Sequence, residues 1–194
     1  MKLVLAPMEG VVDFKMRQLL TDIGGFDLCV TDFIRVVDTC LPDKVFHRYC
    51  PELKNAGLTR SGTPVRIQLL GQVADVLAEN AVKAIGLGSH GVDLNFGCPA
   101  KTVNKSKGGA VLLKDPDHMY SIIKTVRDAV DDEHEVSAKI RLGFDDDSNS
   151  QEIVDAVVSA GANSIAIHAR TKRDGYNPPA YWEKIPPLVK DKKI

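Results

Sequence analysis

Six short runs of apolar and β-branched residues recur along the chain, with helical patterns between them. The runs are Leu3–Ala6, Leu28–Phe33, Val65–Leu70, Val92–Phe96, Val136–Leu142 and Ser164–Ala169. Strands that are nearly continuous in apolar residues are typical of parallel sheets covered by helices. The alternation therefore predicts an α/β fold, either a doubly wound sheet or a closed barrel.

Three of the intervening segments carry helix signals of their own. Apolar residues recur with the period of an α-helix between Val76 and Ile85, and Gly86 supplies a stop. Asp115-Pro116 places an N-cap residue before an N1 proline and begins the clearest helix. A third apolar pattern starts at Ile153 and ends at Gly161, just before the sixth run.

Polar side chains at the strand ends distinguish between the two architectures. They follow the strand cores at Glu9, Gln68, Asn95, Lys139, Arg141, His168 and Arg170. The active face of a TIM barrel is built in this way, and no GxGxxG sequence favours a dinucleotide-binding sheet. The prediction is a TIM (β/α)8 barrel, here incomplete with about six βα units. We expect residues 1–194 to be the N-terminal part of one such domain, with the last barrel strands absent.

Composition, charge and cysteine content restrict the compartments and ligands that are compatible with the chain. The chain is 44% hydrophobic with a net charge of −1, and no apolar run approaches the roughly 20 residues that cross a bilayer. The four cysteines show no CxxC pair and no histidine at zinc-finger spacing, so neither a metal site nor a disulfide framework is expected. We therefore expect a cytoplasmic protein that binds no metal and no membrane. The charge weighs against a nucleic-acid partner unless basic residues cluster locally.

One cysteine differs from the others by its position. Cys98 lies on the loop that leaves the fourth strand, between Gly97 and Pro99, which predict an exposed turn. The residues that follow include three lysines, Lys101, Lys105 and Lys107. Gly108-Gly109 comes next, which predicts a flexible cationic loop suited to a phosphate-bearing substrate. A solvated surface loop is the alternative.

Four ordered motifs resemble those of the tRNA-dihydrouridine synthases. The first two are Ala6-Pro7-Met8-Glu9-Gly10-Val11, and Asn95-Phe96-Gly97-Cys98-Pro99 followed by Val103 and Gly108-Gly109-Ala110. The other two are Lys139-Ile140-Arg141-Leu142-Gly143 and His168-Ala169-Arg170-Thr171. The segment Val45–Leu53 is similar to the bacterial subfamily assigned to uridine 16 of the D-loop. The match runs from the first strand to the end of the chain.

The resemblance implies a TIM barrel that binds FMN and is reduced by NADPH. It implies that the first loop and one amide approach the flavin ring, through Pro7, Met8, Glu9 and Gln68. It also assigns Lys139 and His168 to the flavin, the lysine stabilising negative charge on the reduced ring. A lysine inside a buried strand is unfavourable without an anionic partner, which supports a ligand role for Lys139. The alternative for Lys139 is an ion pair with a strand carboxylate. The alternatives for His168 and Gln68 are a hydrogen-bonded histidine in the core and an amide that only caps a strand.

The resemblance also implies the chemistry at uracil, where hydride adds at C6 and a proton is needed at C5. Cys98 is the expected acid, because a thiol with an unperturbed pKa of about 8.5 is mostly protonated at neutral pH. Asn95 is expected to contact the uracil edge; an amide that bonds its own backbone is the alternative. The expected tRNA contacts are Arg35, Lys101, Arg141 and Arg170. The family's helical tRNA-binding domain is expected to be absent from this sequence, and the protein to be a monomer.

Two other functions are compatible with the sequence. The first is an FMN-dependent dehydrogenase of the dihydroorotate or dihydropyrimidine type, which acts on a free pyrimidine and needs no basic tRNA contacts. The segment from Cys98 to Gly109 argues against it. The second is a non-catalytic RNA-binding remnant, for which a purified chain would lack the yellow colour of bound flavin.

Overall fold

The computed structural model describes residues 2–194, in which six parallel strands form one sheet. The strands are β1 (Val4–Leu5), β2 (Leu28–Arg35), β3 (Val65–Leu70), β4 (Val92–Asn95), β5 (Val136–Arg141) and β6 (Ser164–His168). All six strand predictions are confirmed; β3 has the predicted ends, and the other strands differ from their predicted ends by at most two residues. Their order in the sheet is their order in the chain.

Helices connect these strands. They are α1 (Phe14–Ile23), α2 (Asp43–Tyr49), α3 (Ala74–Gly86), α4 (Lys101–Lys105), α5 (Pro116–Ala129), α6 (Ser150–Ser159) and α7 (Ile185–Val189). Short 3₁₀ helices cover Pro51–Asn55, Gly109–Lys114 and Trp182–Lys184. The predicted start of α5 is confirmed, because Asp115 Oδ1 accepts from His118 N at 3.0 Å and Pro116 is the first helical residue. No helix within residues 2–194 is long and apolar enough to cross a membrane.

The strand order decides between the two predicted architectures. A doubly wound sheet reverses its order at a switch point, whereas these strands follow one another without reversal. Because parallel crossovers are right-handed, an unreversed order places the connecting helices on one face of the sheet. The chain therefore has the fold of consecutive βα units of a TIM barrel, six in number.

The two faces of the sheet differ in polarity. The face toward the helices is apolar, and Ile67, Leu94 and Ile140 on successive strands are fully buried there with Ile122 of α5. Removal of each such side chain from water stabilises the folded state by about 1.5–3 kcal/mol. The opposite face carries polar residues in register, so that Gln68 pairs with Asp93, Asp93 with Ser137, and Asn95 with Lys139. The candidate site is built on this second face.

A buried ion pair supports the loop after β1. Arg17 of α1 donates from Nε and Nη2 to the two carboxylate oxygens of Glu52, each at 2.9 Å. Its Nη1 donates to the carbonyl oxygen of Val12 at 3.2 Å, and its Nη2 also donates to Tyr49 O. Because the pair is bidentate and the guanidinium also bonds two backbone carbonyl groups, it fixes the end of the first loop against α2.

Candidate active site

Cys98 lies at the carboxyl end of the sheet, just beyond β4. Its residue surface is 8% exposed, and it packs with Leu70 and Val103 in a small apolar cluster. The prediction of an exposed turn at Cys98 is therefore wrong, because the following segment folds back over it. That segment, predicted as a flexible loop, forms α4 and the 3₁₀ helix Gly109–Lys114 instead.

Hydrogen bonds from the returning chain hold the backbone of Cys98. Its carbonyl oxygen accepts from Ala110 N and from Asn104 Nδ2, both at 3.0 Å. Gly109 has φ +65°, and a Cβ there would lie 2.9 Å from both Cys98 O and Val103 Cγ1. Glycine at position 109 therefore permits this close approach of the chain to the cysteine.

Burial sets the protonation of Cys98. Desolvation raises the pKa of the thiol above its ordinary value. The Ala100 N–H and the charge of Arg141 act in the opposite direction, while the charge of Glu9 raises the pKa further. The thiol is therefore protonated at neutral pH, which suits a proton donor and not an activated nucleophile.

Gln68 and Asn95 are both buried, and their amides bond each other. Asn95 Nδ2 donates to Gln68 Oε1 at 2.7 Å, and Gln68 Nε2 donates to Asp93 Oδ2 at 2.6 Å. Asn95 Oδ1 accepts from the backbone N–H groups of Gly97 and Cys98, each at 2.9 Å. The two amides therefore hold the Cys98 loop. This agrees with the alternative given for Asn95, in which its amide bonds nearby backbone groups. Their contact with a ligand stays a prediction.

Lys139 lies beside Asn95 in the register of β4 and β5. Burial lowers the pKa of its ammonium, the Asp93 carboxylate acts in the opposite direction, and Arg141 lowers it further. Lys139 takes part in none of the ion pairs formed among residues 2–194. A half-buried cation without a paired carboxylate is suited to an anionic ligand.

His168, at the end of β6, is neutral. Its pKa is lowered from 6.5 to about 4, chiefly by burial and also by the charges of Arg141, Lys139 and Arg170. Its Nε2 lies 3.1 Å from Arg170 Nη1. Since a guanidinium can only donate, Nε2 accepts and the ring proton is on Nδ1. The histidine therefore offers Nδ1–H as a donor to a ligand.

Arg141 is buried, although the sequence suggested a tRNA contact. Its Nε donates to Gly97 O at 2.7 Å, and its Nη1 donates to Thr171 O at 3.1 Å and Gly175 O at 2.9 Å. Its guanidinium carbon is 5.3 Å from the ring centroid of Tyr176. These contacts join the Cys98 loop to the loop after β6. A contact of Arg141 with tRNA stays a prediction.

The remaining candidates also follow the carboxyl ends of strands. Pro7 is half-buried in the loop after β1, and Met8 and Glu9 beside it are exposed. Arg35 ends β2 and lines a cavity of about 30 Å³ with Leu70 and Val103, the residues that pack on Cys98. Arg170 donates from Nε to Pro179 O at 3.2 Å, and Lys101 is the exposed first residue of α4.

Three polar neighbours of the site are not predicted by the sequence. Asp93 and Ser137 lie on the polar face of the sheet, and their side chains bond each other at 2.5 Å. Tyr176 is exposed, and its ring centroid is 6.0 Å from that of His168. A carboxylate within the strand Val92–Phe96, in which Asn95 is the other polar residue, was the signal that could have identified Asp93. Tyr176 had no comparable signal, because only the folding of the loop after β6 brings it here.

These groups define a barrel-type protein with a buried, protonated thiol and an electropositive site at the carboxyl ends of its strands. They combine that thiol with a neutral imidazole and buried cations. Within the part of the chain that the structure describes, no cluster of three or more His, Cys, Asp or Glu could hold a metal ion. A protonated thiol beside buried cations is suited to proton delivery and to stabilisation of negative charge on a ligand.

A family model and close relatives agree with this class. The model described as Dihydrouridine synthase (Dus) matches residues 4–194, and the chain belongs to that family. A tRNA-dihydrouridine(16) synthase of Shewanella oneidensis is 60% identical over 95% of this chain and 59% of its own length. Proteins of the same name from Haemophilus influenzae and Escherichia coli K12 are each 58% identical, over 95% and 91% of this chain. The chain spans 60% and 56% of their lengths, and the family resemblance read from the motifs is confirmed.

Proposed function

We propose that this chain supplies the flavin and uridine site of an enzyme that reduces uridine 16 in the tRNA D-loop to 5,6-dihydrouridine. The buried, protonated thiol of Cys98 carries the proposal, and hydrogen bonds to its backbone hold it at the carboxyl end of the sheet. The proposed substrate follows from the name of the relatives, tRNA-dihydrouridine(16) synthase. The proposed cofactor is FMN, and the proposed reductant of FMN is NADPH. Residues 1–194 are then part of a TIM barrel whose whole protein also has a helical tRNA-binding domain and acts as a cytoplasmic monomer.

The side chains of the site fit a flavin mononucleotide. Lys139 lacks an ion pair within residues 2–194, and an anionic ligand would favour its charged form. The charges of Arg141 and Arg170 lower the pKa of His168. They also make this end of the sheet electropositive. Lys139 and His168 Nδ1–H would donate to the flavin. The groups that would approach its ring are Pro7, Met8, Glu9 and the free lone pair and N–H of Gln68.

The proposed chemistry divides the reduction between two donors. FMN, when bound and reduced, supplies the hydride that adds to C6 of uracil. Cys98 gives its proton to C5, so that the S–H bond breaks as the C–H bond forms, and water returns a proton to the thiolate. Burial supports this role, because it raises the pKa of the thiol and keeps the proton on sulfur. Asn95 orients the loop that carries the thiol.

Exposed cations around this end of the sheet suit the tRNA backbone. Lys101 and Arg35 are exposed, and Arg35 adjoins the cluster that covers Cys98. We propose both as contacts of tRNA near the extruded uridine. Arg170 is half-buried beside His168 and would contact the substrate at the flavin. Arg141 would act on tRNA through the loop that it holds.

The test uses the gene in its natural setting. A strain without this gene is complemented with the wild-type gene or with Cys98→Ala, and uridine 16 of its tRNA is measured by mass spectrometry. The wild-type gene should restore dihydrouridine at position 16. Cys98→Ala should leave uridine there while the protein still binds FMN. Restoration by Cys98→Ala would disprove the acid assignment.

Two further results would favour the other functions. Equal turnover of free pyrimidine and unmodified tRNA by the purified protein with FMN and NADPH would favour a dihydroorotate- or dihydropyrimidine-type dehydrogenase. A protein that shows no flavin absorbance after incubation with FMN, yet retains tRNA, would favour a non-catalytic RNA-binding role. Reduction of tRNA at a uridine other than 16 would preserve the reaction and refute the proposed position.

A further inference from the structure

A continuous row of hydrogen bonds connects Asp93, in β4, to the backbone of the Cys98 loop. It runs from Asp93 Oδ2 through the amides of Gln68 and Asn95 to the N–H groups of Gly97 and Cys98. We call the three side chains Asp93, Gln68 and Asn95 the amide relay. They are 4%, 0% and 9% exposed, so bulk water does not compete for their bonds.

The direction of the relay is fixed by its loop end. The backbone N–H groups of Gly97 and Cys98 can only donate, so Asn95 must turn Oδ1 toward them and Nδ2 toward Gln68. Gln68 must then accept with Oε1 and donate with Nε2. The next position therefore requires an acceptor, and a carboxylate oxygen of Asp93 occupies it.

We propose that Asp93 is a positioning residue for Cys98: its carboxylate oxygen is the acceptor that this orientation of the relay requires, and it thereby holds both amides and the backbone that carries the thiol in place. The role of that thiol as an acid rests on the proposed function, whereas the relay is a property of the folded chain. Loss of the acceptor leaves the Gln68 donor unpaired in a buried site, and the amide rotates or the loop opens.

The relay requires an acceptor at position 93 and not a negative charge. Asp93 Oδ1 accepts from Ser137 Oγ at 2.5 Å, and Ser137 Oγ accepts from Arg66 Nη1 at 3.0 Å. In Asp93→Asn, the amide oxygen can accept from Gln68 while its NH₂ group donates to Ser137 Oγ. In Asp93→Leu, a side chain of similar size offers no acceptor. The two substitutions therefore separate hydrogen bonding from simple filling of the space.

The experiment measures alkylation of Cys98 by iodoacetamide in the full chain, with and without FMN, resolved by peptide mass spectrometry. Cys29 and Cys50 are buried and report unfolding of the whole chain. The variants are Asp93→Leu, Gln68→Leu and Asp93→Asn. The matched control is Asn80→Leu, which removes an equally buried amide that bonds Leu41 N and Thr39 O, outside the relay.

Asp93→Leu and Gln68→Leu should raise the Cys98 rate about tenfold or more, with Cys29 and Cys50 unchanged, because the loop opens locally. Asp93→Asn and Asn80→Leu should stay within about twofold of the wild type. Rates in Asp93→Leu and Gln68→Leu that match Asn80→Leu would overturn the proposal.

Where both leucine variants also expose Cys29 and Cys50, Gln68→Met decides the question. Methionine keeps the length of the unbranched side chain and removes the donor to Asp93. A Cys98 rate equal to that of the wild type then overturns the relay, and a faster rate supports it. If the variants show the alkylation rates expected for the relay but the wild-type protein does not reduce tRNA, the proposed function is refuted and the relay is still supported.

Discussion

Arg141 Nε donates to the carbonyl oxygen of Gly97 at 2.7 Å, directly before the cysteine of the site. The same guanidinium bonds Thr171 O and Gly175 O in the loop after β6. One buried side chain thus joins the ends of β4, β5 and β6. Because a guanidinium carries five donors in a planar fork, it can serve three carbonyl groups that no other side chain could reach together.

Arg141→Lys should therefore destabilise the protein, although the substitution keeps the positive charge. Lysine cannot bridge both loops, and buried carbonyls lose their donors, so we expect a decrease of about 2–4 kcal/mol in the free energy of unfolding. Urea denaturation followed by circular dichroism measures it. If Arg141 acted only by contacting tRNA, Arg141→Lys would keep full stability and lower RNA affinity alone.

Gly109→Ala should destabilise the turn over Cys98. The residue has φ +65°, and the added methyl would meet Cys98 O and Val103 Cγ1 at 2.9 Å, so we expect a decrease of about 2–3 kcal/mol. Gly62→Ala is the matched control, since Gly62 has φ +86° with no atom within 4 Å of the added Cβ. That control should lose only about 1 kcal/mol. Equal losses in thermal denaturation would contradict the close contact.

The pH dependence of Cys98 follows from the direction of its pKa shift. Burial raises the pKa above 9.0, so the thiol keeps its proton through neutral and mildly alkaline pH. Iodoacetamide reacts with the thiolate, so the rate of its reaction with Cys98 should still be rising above pH 9. A plateau of the rate below pH 9 would show a thiol with a lowered pKa, and with it a nucleophilic cysteine instead of an acid.

The sequence predicted the strands closely and the side-chain partners poorly. The run Val65–Leu70 is buried throughout and β-branched or aliphatic at alternate positions, so local pattern identified β3 to the residue. The same pattern could not reveal that Gln68 meets Asp93, because that pair depends on the register of two strands 25 residues apart. The sequence alone therefore indicates ligand-facing amides at Gln68 and Asn95, whereas in the fold the two amides bond each other. It also indicates that Cys98 lies at the carboxyl end of the sheet, as it does, but the burial of Cys98 depends on the return of the chain at Gly109 and cannot be predicted from the turn alone.

Lys139→Met should have opposite effects on flavin binding and on stability. The change removes the cation proposed for the flavin, so FMN affinity should fall about tenfold or more, and further for the reduced, anionic ring. Burial lowers the pKa of Lys139, so its charged form is disfavoured in the fold and the flavin-free variant should be at least as stable as the wild type. Flavin fluorescence titration and thermal denaturation check the two effects. Loss of stability with unchanged FMN affinity would show that Lys139 has a structural role only.

His168 should make the stability of the protein depend on pH in the weakly acidic range. Its pKa is lowered from 6.5 to about 4, so between these values the unfolded chain binds a proton that the folded chain does not. Its contribution to stability is fully present above pH 6.5 and is lost as the pH falls toward 4. We expect this loss to be about 1–2 kcal/mol, after the full linkage value is reduced for the partial exposure of the ring.

His168→Gln keeps an acceptor for Arg170 and should remove that part of the pH dependence. Arg170→Met takes away one of the cations that lower the pKa of His168, and it should reduce the dependence in part. Urea denaturation at pH 7 and at pH 5 measures all three proteins. If wild type and His168→Gln lose the same free energy between the two pH values, His168 is not held neutral by burial and its neighbours. The imidazole would then be charged at acidic pH, and its Nε2 could no longer accept from Arg170.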